Sequence, residues 1–163
     1  MIEFKIDPKA IVLAMRYSDQ MGKLTNSITK GEGNIAGFLG EMMVAQYLKY
    51  KRQNTYEYDL ISPDKKRYDV KTKRCGFKPE LNYTVSVCAL NTSQQCDAYI
   101  FVRINDGLNL GWILGYMPKD EYFKNAKFCK QGDIDPDGNG WKFKEDCYNM
   151  YIKDLKPTDD LKL

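Results

Sequence analysis

The chain has 163 residues, a net charge of +3, and 43% hydrophobic against 29% charged residues. That size and balance fit one folded domain, able to bury roughly two thirds of its unfolded surface without disulfide help. No histidine is present, which excludes Ser-His-Asp and Cys-His hydrolysis, His-ligated zinc chemistry and nucleases with a histidine general base.

Ile2 to Ile6 alternates and predicts a short strand. Asp7-Pro8 reads as N-cap plus first-turn proline, opening a helix to about Met21. Residues 22–33, with Gly22, Gly31 and Gly33, read as a polar loop that either wraps nucleic acid or is ordinary surface. Asn34 caps a second helix running to about Tyr50, with Ile35, Phe38, Leu39, Met42 and Ala45 as its apolar stripe. Gly37 and Gly40 each cost that helix about 1 kcal/mol against alanine, which predicts close approach by another backbone or a ligand.

Tyr56 to Ile61 reads as a strand, residues 62–65 as a turn, and Arg67 to Arg74 as the antiparallel partner. Tyr83 to Leu90 is a third strand and Asn91 to Gln95 one helical turn. Ala98 to Ile104 is continuously apolar, as expected of a central strand covered on both faces. Leu110 to Met117 is a further strand, and Pro118 opens a helix through about Asn125. Trp141 to Phe143 and Tyr148 to Ile152 predict a small closing hairpin, with Trp112 and Trp141 in packing roles.

The five cysteines are widely spaced without a CxxC pair, so reduced thiols and a cytoplasmic location are expected. Neither a signal peptide nor a membrane span is read from the chain. Lys49, Lys51, Arg52, Lys65, Lys66, Arg67, Lys71, Lys73, Arg74 and Lys78 crowd the middle, predicting a local basic field that attracts a polyanion.

The chemistry concentrates in Tyr68-Asp69-Val70-Lys71-Thr72-Lys73-Arg74. Alternation puts Asp69 and Lys71 on one face of the strand and Val70 on the other. Asp59, on the strand expected to pair with it, brings a second carboxylate toward Asp69, and the Val70 carbonyl offers a further oxygen ligand. Glu41 interrupts the apolar stripe of the second helix, an odd place unless it reaches across the helix–sheet seam. Carboxylates that leave coordination positions open suit Mg²⁺, with Mn²⁺ able to replace it, and such an ion activates water against a phosphodiester. Lys71 beside it orients the water and stabilises the charge that develops on the phosphate.

This arrangement resembles the PD-(D/E)xK nuclease superfamily, with its restriction-endonuclease-like fold. The resemblance rests on Gly40-Glu41, Asp59 and Asp69-Val70-Lys71 in that order, over about residues 34–104. Tyr58 stands where the name-giving proline would be, and the second acid is Asp rather than the commoner Glu. The resemblance implies an α/β chain with an αβββαβ core, spanning about residues 34–117, its mixed central sheet flanked by helices, with the hairpin as an extension. It implies Glu41, Asp59 and Asp69 as metal ligands and Lys71 as catalytic lysine, in a Mg²⁺-dependent DNA endonuclease. Small single-domain members of phages and mobile elements are similar in scale and often form homodimers; RNA stays open as a substrate. A catalytically inactive nucleic-acid-binding module is the alternative.

Lys73 shares the face of Asp69 and Lys71, and with Arg74 either holds a neighbouring phosphate or ends a solvated strand. Gln95 and Tyr99 have a Gln-x-x-x-Tyr spacing similar to that of one nuclease branch, but Tyr99 begins an apolar strand, so the spacing reads as coincidence and either Gln95 or Gln94 is left as the residue that faces the site. Asp133 to Gly138 imitates the opening of a calcium EF-hand loop, but Lys144 takes the place of its bidentate glutamate and Pro136 interrupts it, so an Asp/Gly-rich turn is expected.

Overall fold

The computed structural model describes residues 1–21, 34–53, 55–135 and 140–162. It begins with β1 (Ile2–Lys5) and α1 (Pro8–Met21). Asp7 caps α1, its carboxylate accepting the Lys9 N–H at 2.8 Å, with Pro8 in the first turn as the sequence predicts. The second helix, α2 (Asn34–Leu48), ends two residues before the expected Tyr50. Lys49 adopts φ 57°, and the Tyr50 N–H turns back to the Ala45 carbonyl at 3.1 Å, which closes the helix end.

Two short strands follow, β2 (Lys51–Arg52) and β3 (Leu60–Ile61), then the long β4 (Arg67–Cys75). β5 (Thr84–Cys88) leads through a single 3₁₀ turn, Ala89–Asn91, to β6 (Ala98–Asn105), β7 (Leu110–Pro118) and α3 (Lys119–Asn125). β8 (Lys127–Cys129) and β9 (Cys147–Tyr151) complete the strands.

Six strands form a mixed sheet in the order β1-β7-β6-β4-β3-β2, in which β4 and β6 run parallel and the other neighbours antiparallel. β5, β9 and β8 form a second sheet of three strands. Alternation along β4 and β6 divides the core. Tyr68, Val70, Ile100, Val102 and Ile104 pack with α2 residues Phe38, Leu39, Met43 and Val44. Tyr99 and Phe101 point the other way, against Val85, Val87, Met150 and Tyr122 of β5, β9 and α3. The continuous apolar run at β6 is thus a central strand covered on both faces, as expected.

The α/β class and the mixed sheet agree with the sequence, but four expectations need correction. The strand expected from Tyr56 shrinks to Leu60–Ile61. The expected third strand, β5, belongs to the second sheet, because its inward residues meet Met150 and Tyr122 instead of extending the main ladder. Among the described residues the expected closing hairpin does not form: β9 pairs with β5 and β8, while Lys142 makes an isolated bridge to Ile134. Trp112 is buried, yet Trp141 is 44% exposed, its ring beside the Lys144 ammonium rather than in the core. The loop at 22–33 lies outside the described residues, as do 136–139 of the EF-hand-like turn.

The two helical glycines part company. A Cβ on Gly37 would meet nothing within 4 Å, whereas one on Gly40 would stand 2.2 Å from Thr72 Oγ1 on β4. The expected close approach is real at Gly40 alone, where it seats α2 on the strand that carries Asp69 and Lys71. Gly40→Ala is expected to lower stability by about 1–3 kcal/mol despite alanine's higher helix propensity. Adding Thr72→Ala is expected to recover most of that loss, as read by urea unfolding of the two single variants and the double variant.

Candidate active site

Within a strand, the N–H and C=O of one residue leave by the same edge, and successive residues alternate edges. The Tyr68 carbonyl accepts the Asp59 N–H at 2.9 Å, so Tyr68, Val70 and Thr72 present their backbone groups to the β3 edge. Tyr68 also stands opposite Leu60 in the ladder. Two residues of one strand therefore face one of the other, the count of a β-bulge. The bulge turns the Asp59 side chain toward β4, where Oδ2 accepts the Val70 N–H at 2.7 Å. The Val70 carbonyl leaves by that same edge, beyond the end of β3.

Asp69 and Lys71 project on the face away from α2, beside Tyr99 and Phe101 of the parallel neighbour. The Lys71 ammonium stands 2.7 Å from Asp69 Oδ2 and donates to Gln94 Oε1 at 2.9 Å. It also lies 5.6 Å from the centre of the Tyr99 ring. Gln94 Nε2 donates to Asp69 Oδ1 at 2.9 Å and to the Tyr56 carbonyl at 2.8 Å. Glu41 enters from α2, its Oε2 held at 2.6 Å by Arg52 Nη2 of β2. The Arg52 guanidinium in turn lies over the rings of Tyr17 and Phe38, at 5.3 and 5.9 Å.

Three carboxylates thus face two cations in a largely buried setting. Burial first, then the charges of Asp69 and Glu41, push the Asp59 carboxyl well above the usual range, and the Val70 N–H offsets only part of this. Burial also raises Glu41, against the hydrogen bond and charge of Arg52, and Asp69 adds to the rise. For Lys71, burial pulls the ammonium down, but the carboxylates of Asp69 and Asp59 outweigh it and hold the group above the ordinary lysine value. These mutual effects bring Glu41, Asp59, Asp69 and Lys71 into one electrostatic cluster. Cys96, beside them, is pushed up to about 11 by burial and then by Asp69, so it stays a thiol and is no nucleophile at neutral pH.

Asp59 and Glu41 are each held through one oxygen, Oδ2 by the Val70 N–H and Oε2 by Arg52, whereas Asp69 is held through both, Oδ1 by Gln94 and Oδ2 by the Lys71 ammonium. Asp69 Oδ2 is fully buried, and its ammonium contact is an ion pair without hydrogen-bond alignment. Oxygen donors of this kind fit a hard divalent cation such as Mg²⁺. Among the described residues, however, no three acidic or thiol side chains stand close enough together to hold an ion as they are. Glu41, drawn to Arg52, must turn for the set to close.

The remaining expected residues lie elsewhere. Lys73 does share the face of Lys71, but its ammonium is 2.6 Å from Asp135, whose side chain is fully buried. Arg74 pairs with Asp106 at 3.4 Å. Gln95 is exposed, its backbone N–H donating to Glu57; the site residue is its neighbour Gln94, 6% exposed. The 3₁₀ turn before it hides its direction from any periodicity. The basic field is weaker than the sequence suggests, because Arg52, Lys66, Arg67, Lys71, Lys73, Arg74 and Lys78 all stand in ion pairs. Among the described residues no helix is long and apolar enough to cross a membrane. No protein-family model matches the chain, and no curated protein sequence matches it.

The raised Asp59 carries a stability consequence. Between the ordinary carboxylate value and the elevated one, the native state holds a proton that the unfolded state has lost, so stability falls as pH rises through that interval. Asp59→Asn removes the decline while leaving an oxygen to accept the Val70 N–H. In the presence of a chelator the variant is expected to be roughly 0.5–2 kcal/mol more stable than the wild type at pH 7, and level with it near pH 3. Thermal unfolding at both pH values measures the difference.

Proposed function

We propose that this chain is a divalent-metal-dependent nuclease that hydrolyses a phosphodiester bond of DNA by in-line attack of water. The observation that carries the proposal is the Asp69–Lys71 pair on β4 with the Asp59 carboxylate on the neighbouring Val70 N–H, where β3 stops. The element order supports it. α2, β3, β4, the 3₁₀ turn and β6 follow one another in the order the resemblance implies, although the third strand it counts, β5, pairs in the second sheet and β2 (Lys51–Arg52) is an addition to it.

Asp59 Oδ1, Asp69 Oδ2, the Val70 carbonyl and Glu41, once released from Arg52, would hold Mg²⁺ or Mn²⁺. Bound there, the ion supplies positive charge to the phosphate and lowers the pKa of water. Lys71 stays protonated across neutral pH, so its role is to donate a hydrogen bond to the attacking water and to stabilise charge building on the phosphate oxygens. Asp69 and Gln94 hold that ammonium in place. The Tyr99 ring, buried beneath it, fills the floor of the site.

One observation favours the inactive binding module instead: Glu41 is already neutralised by Arg52. Against it, three acids facing two cations repel a phosphate unless a cation joins them, and a surface that only binds nucleic acid is better served by basic groups throughout.

Cleavage of supercoiled plasmid, single-stranded and branched DNA, and of RNA, with Mg²⁺ or Mn²⁺ tests the proposal. Lys71→Ala and Asp69→Ala are each expected to lower the rate by about 10²–10³-fold or more. Cleavage that survives both substitutions rejects the site. A wild type that binds these substrates and cuts none moves the assignment to the binding module.

A further inference from the structure

Of the basic field expected in the middle of the chain, only Lys49, Lys51 and Lys65 stand in no ion pair among the described residues. All three are exposed. The fold collects them at one end of the main sheet. Lys49 follows α2, Lys51 opens β2, and Lys65 closes the 62–65 turn between β3 and β4, its N–H donating to the Ser62 carbonyl at 3.0 Å. The acids of that end, Asp64 and Asp97, are matched by Lys66 and Arg67. Two of the three lysines hold backbone conformations that suit glycine, Lys49 at φ 57° and Lys65 at φ 69°. Lys49 complements the dipole of α2, and Lys51 guards the edge strand β2 against pairing. Neither role accounts for Lys65, nor for three uncompensated charges at one end of the sheet.

Register places this end on the side of the candidate site. Lys51 stands opposite Ile61, and Ile61 opposite Arg67. Paired residues share a face, and Arg67, Asp69 and Lys71 alternate onto that same face of β4. Two strand spacings across and two residues along put the Cα of Lys51 roughly 12 Å from that of Asp69. That is the span of about three to four base pairs of a duplex. We infer that Lys49, Lys51 and Lys65 form a phosphate-contact surface that carries one strand of a DNA duplex toward Asp69 and Lys71. Its direction rests on the nuclease reading above, which places the reaction at those two residues. Exposed ammonium groups with no acid to satisfy neutralise phosphates and release the counterions held on them, which favours binding without regard to sequence.

Fluorescence anisotropy of a labelled duplex tests this. The full chain is titrated at a series of KCl concentrations, with a chelator present so that the duplex stays whole. A variant carrying Lys49→Gly, Lys51→Gln and Lys65→Gly is expected to bind about 10-fold or more weakly, and to lose about 2–3 from the slope of log affinity against log salt. Its thermal midpoint is expected to hold or rise, because glycine suits both left-handed positions. Lys49→Arg, Lys51→Arg and Lys65→Arg together are expected to keep the slope. In cleavage, the glycine-bearing variant is expected to raise KM about 10-fold with kcat nearly unchanged. A variant that keeps the wild-type slope, or that self-associates with its DNA affinity unchanged, overturns the inference and leaves the lysines as edge protection. A wild type that does not bind the duplex also overturns it, and the nuclease proposal is then judged by cleavage alone. Binding that depends on the three lysines without any cleavage in Mg²⁺ or Mn²⁺ keeps the surface and removes the hydrolytic reading.

Discussion

β3 covers the edge of β4 for two residues, and where it stops the Asp59 carboxylate takes its place. A buried N–H left without a partner is costly, so the chain must supply an acceptor for Val70 once the ladder ends. A longer β3 would have done so with a backbone carbonyl and sealed the edge. The bulge does it with a side chain, and the same move brings an acid within electrostatic reach of Asp69, Glu41 and Lys71. The Val70 carbonyl is left on that edge without a neighbouring strand. The geometry of the candidate site thus follows from one interrupted ladder, and the raised proton affinity of Asp59 from the burial that comes with it.

Two acid–lysine pairs lie on the same face of β4, and their difference is informative. Lys73 meets Asp135, which also accepts from the Thr84 hydroxyl at 3.0 Å, so both oxygens of that carboxylate are engaged. Burying a charge without a partner costs several kcal/mol, and the Lys73 ammonium supplies one to the buried Asp135 carboxylate. Lys71 meets Asp69 with two further acids nearby, and burial raises the proton affinity of both Asp59 and Glu41. A tie built for stability alone has no use for such crowding of acids.

Where a pattern is local, the sequence carried the answer. The Asp7-Pro8 start of α1, the apolar run of β6 and the shared face of Asp69, Lys71 and Lys73 follow from capping and alternation, and the structure has them. Asp59 was legible as a residue, though not in the way it reaches the site: alternation cannot register a bulge, which shifts the phase by one residue. Arg52 gave no sign of its grip on Glu41, because β2 is two residues long and too short for any periodicity. The ion pair of Lys73 went unforeseen for a different reason. Its partner Asp135 lies 62 residues away, and no local rule foresees a buried ion pair at that distance.

The departure from the expected strand count has a structural use. Because β5 leaves the main sheet to pair with β9, the chain must return to β6 across the end of β4 that carries Asp69. The crossing segment, 89–97, includes Gln94, and its hydrogen bonds to Tyr56 and through Gln95 to Glu57 dock it on the loop that ends at Asp59. Had β5 extended the central sheet as an ordinary third strand, the connection would have had no reason to pass there. The second sheet therefore does two things. With α3 it buries the face of Tyr99 and Phe101 that α2 leaves uncovered, and it routes a neutral amide to Asp69 and Lys71.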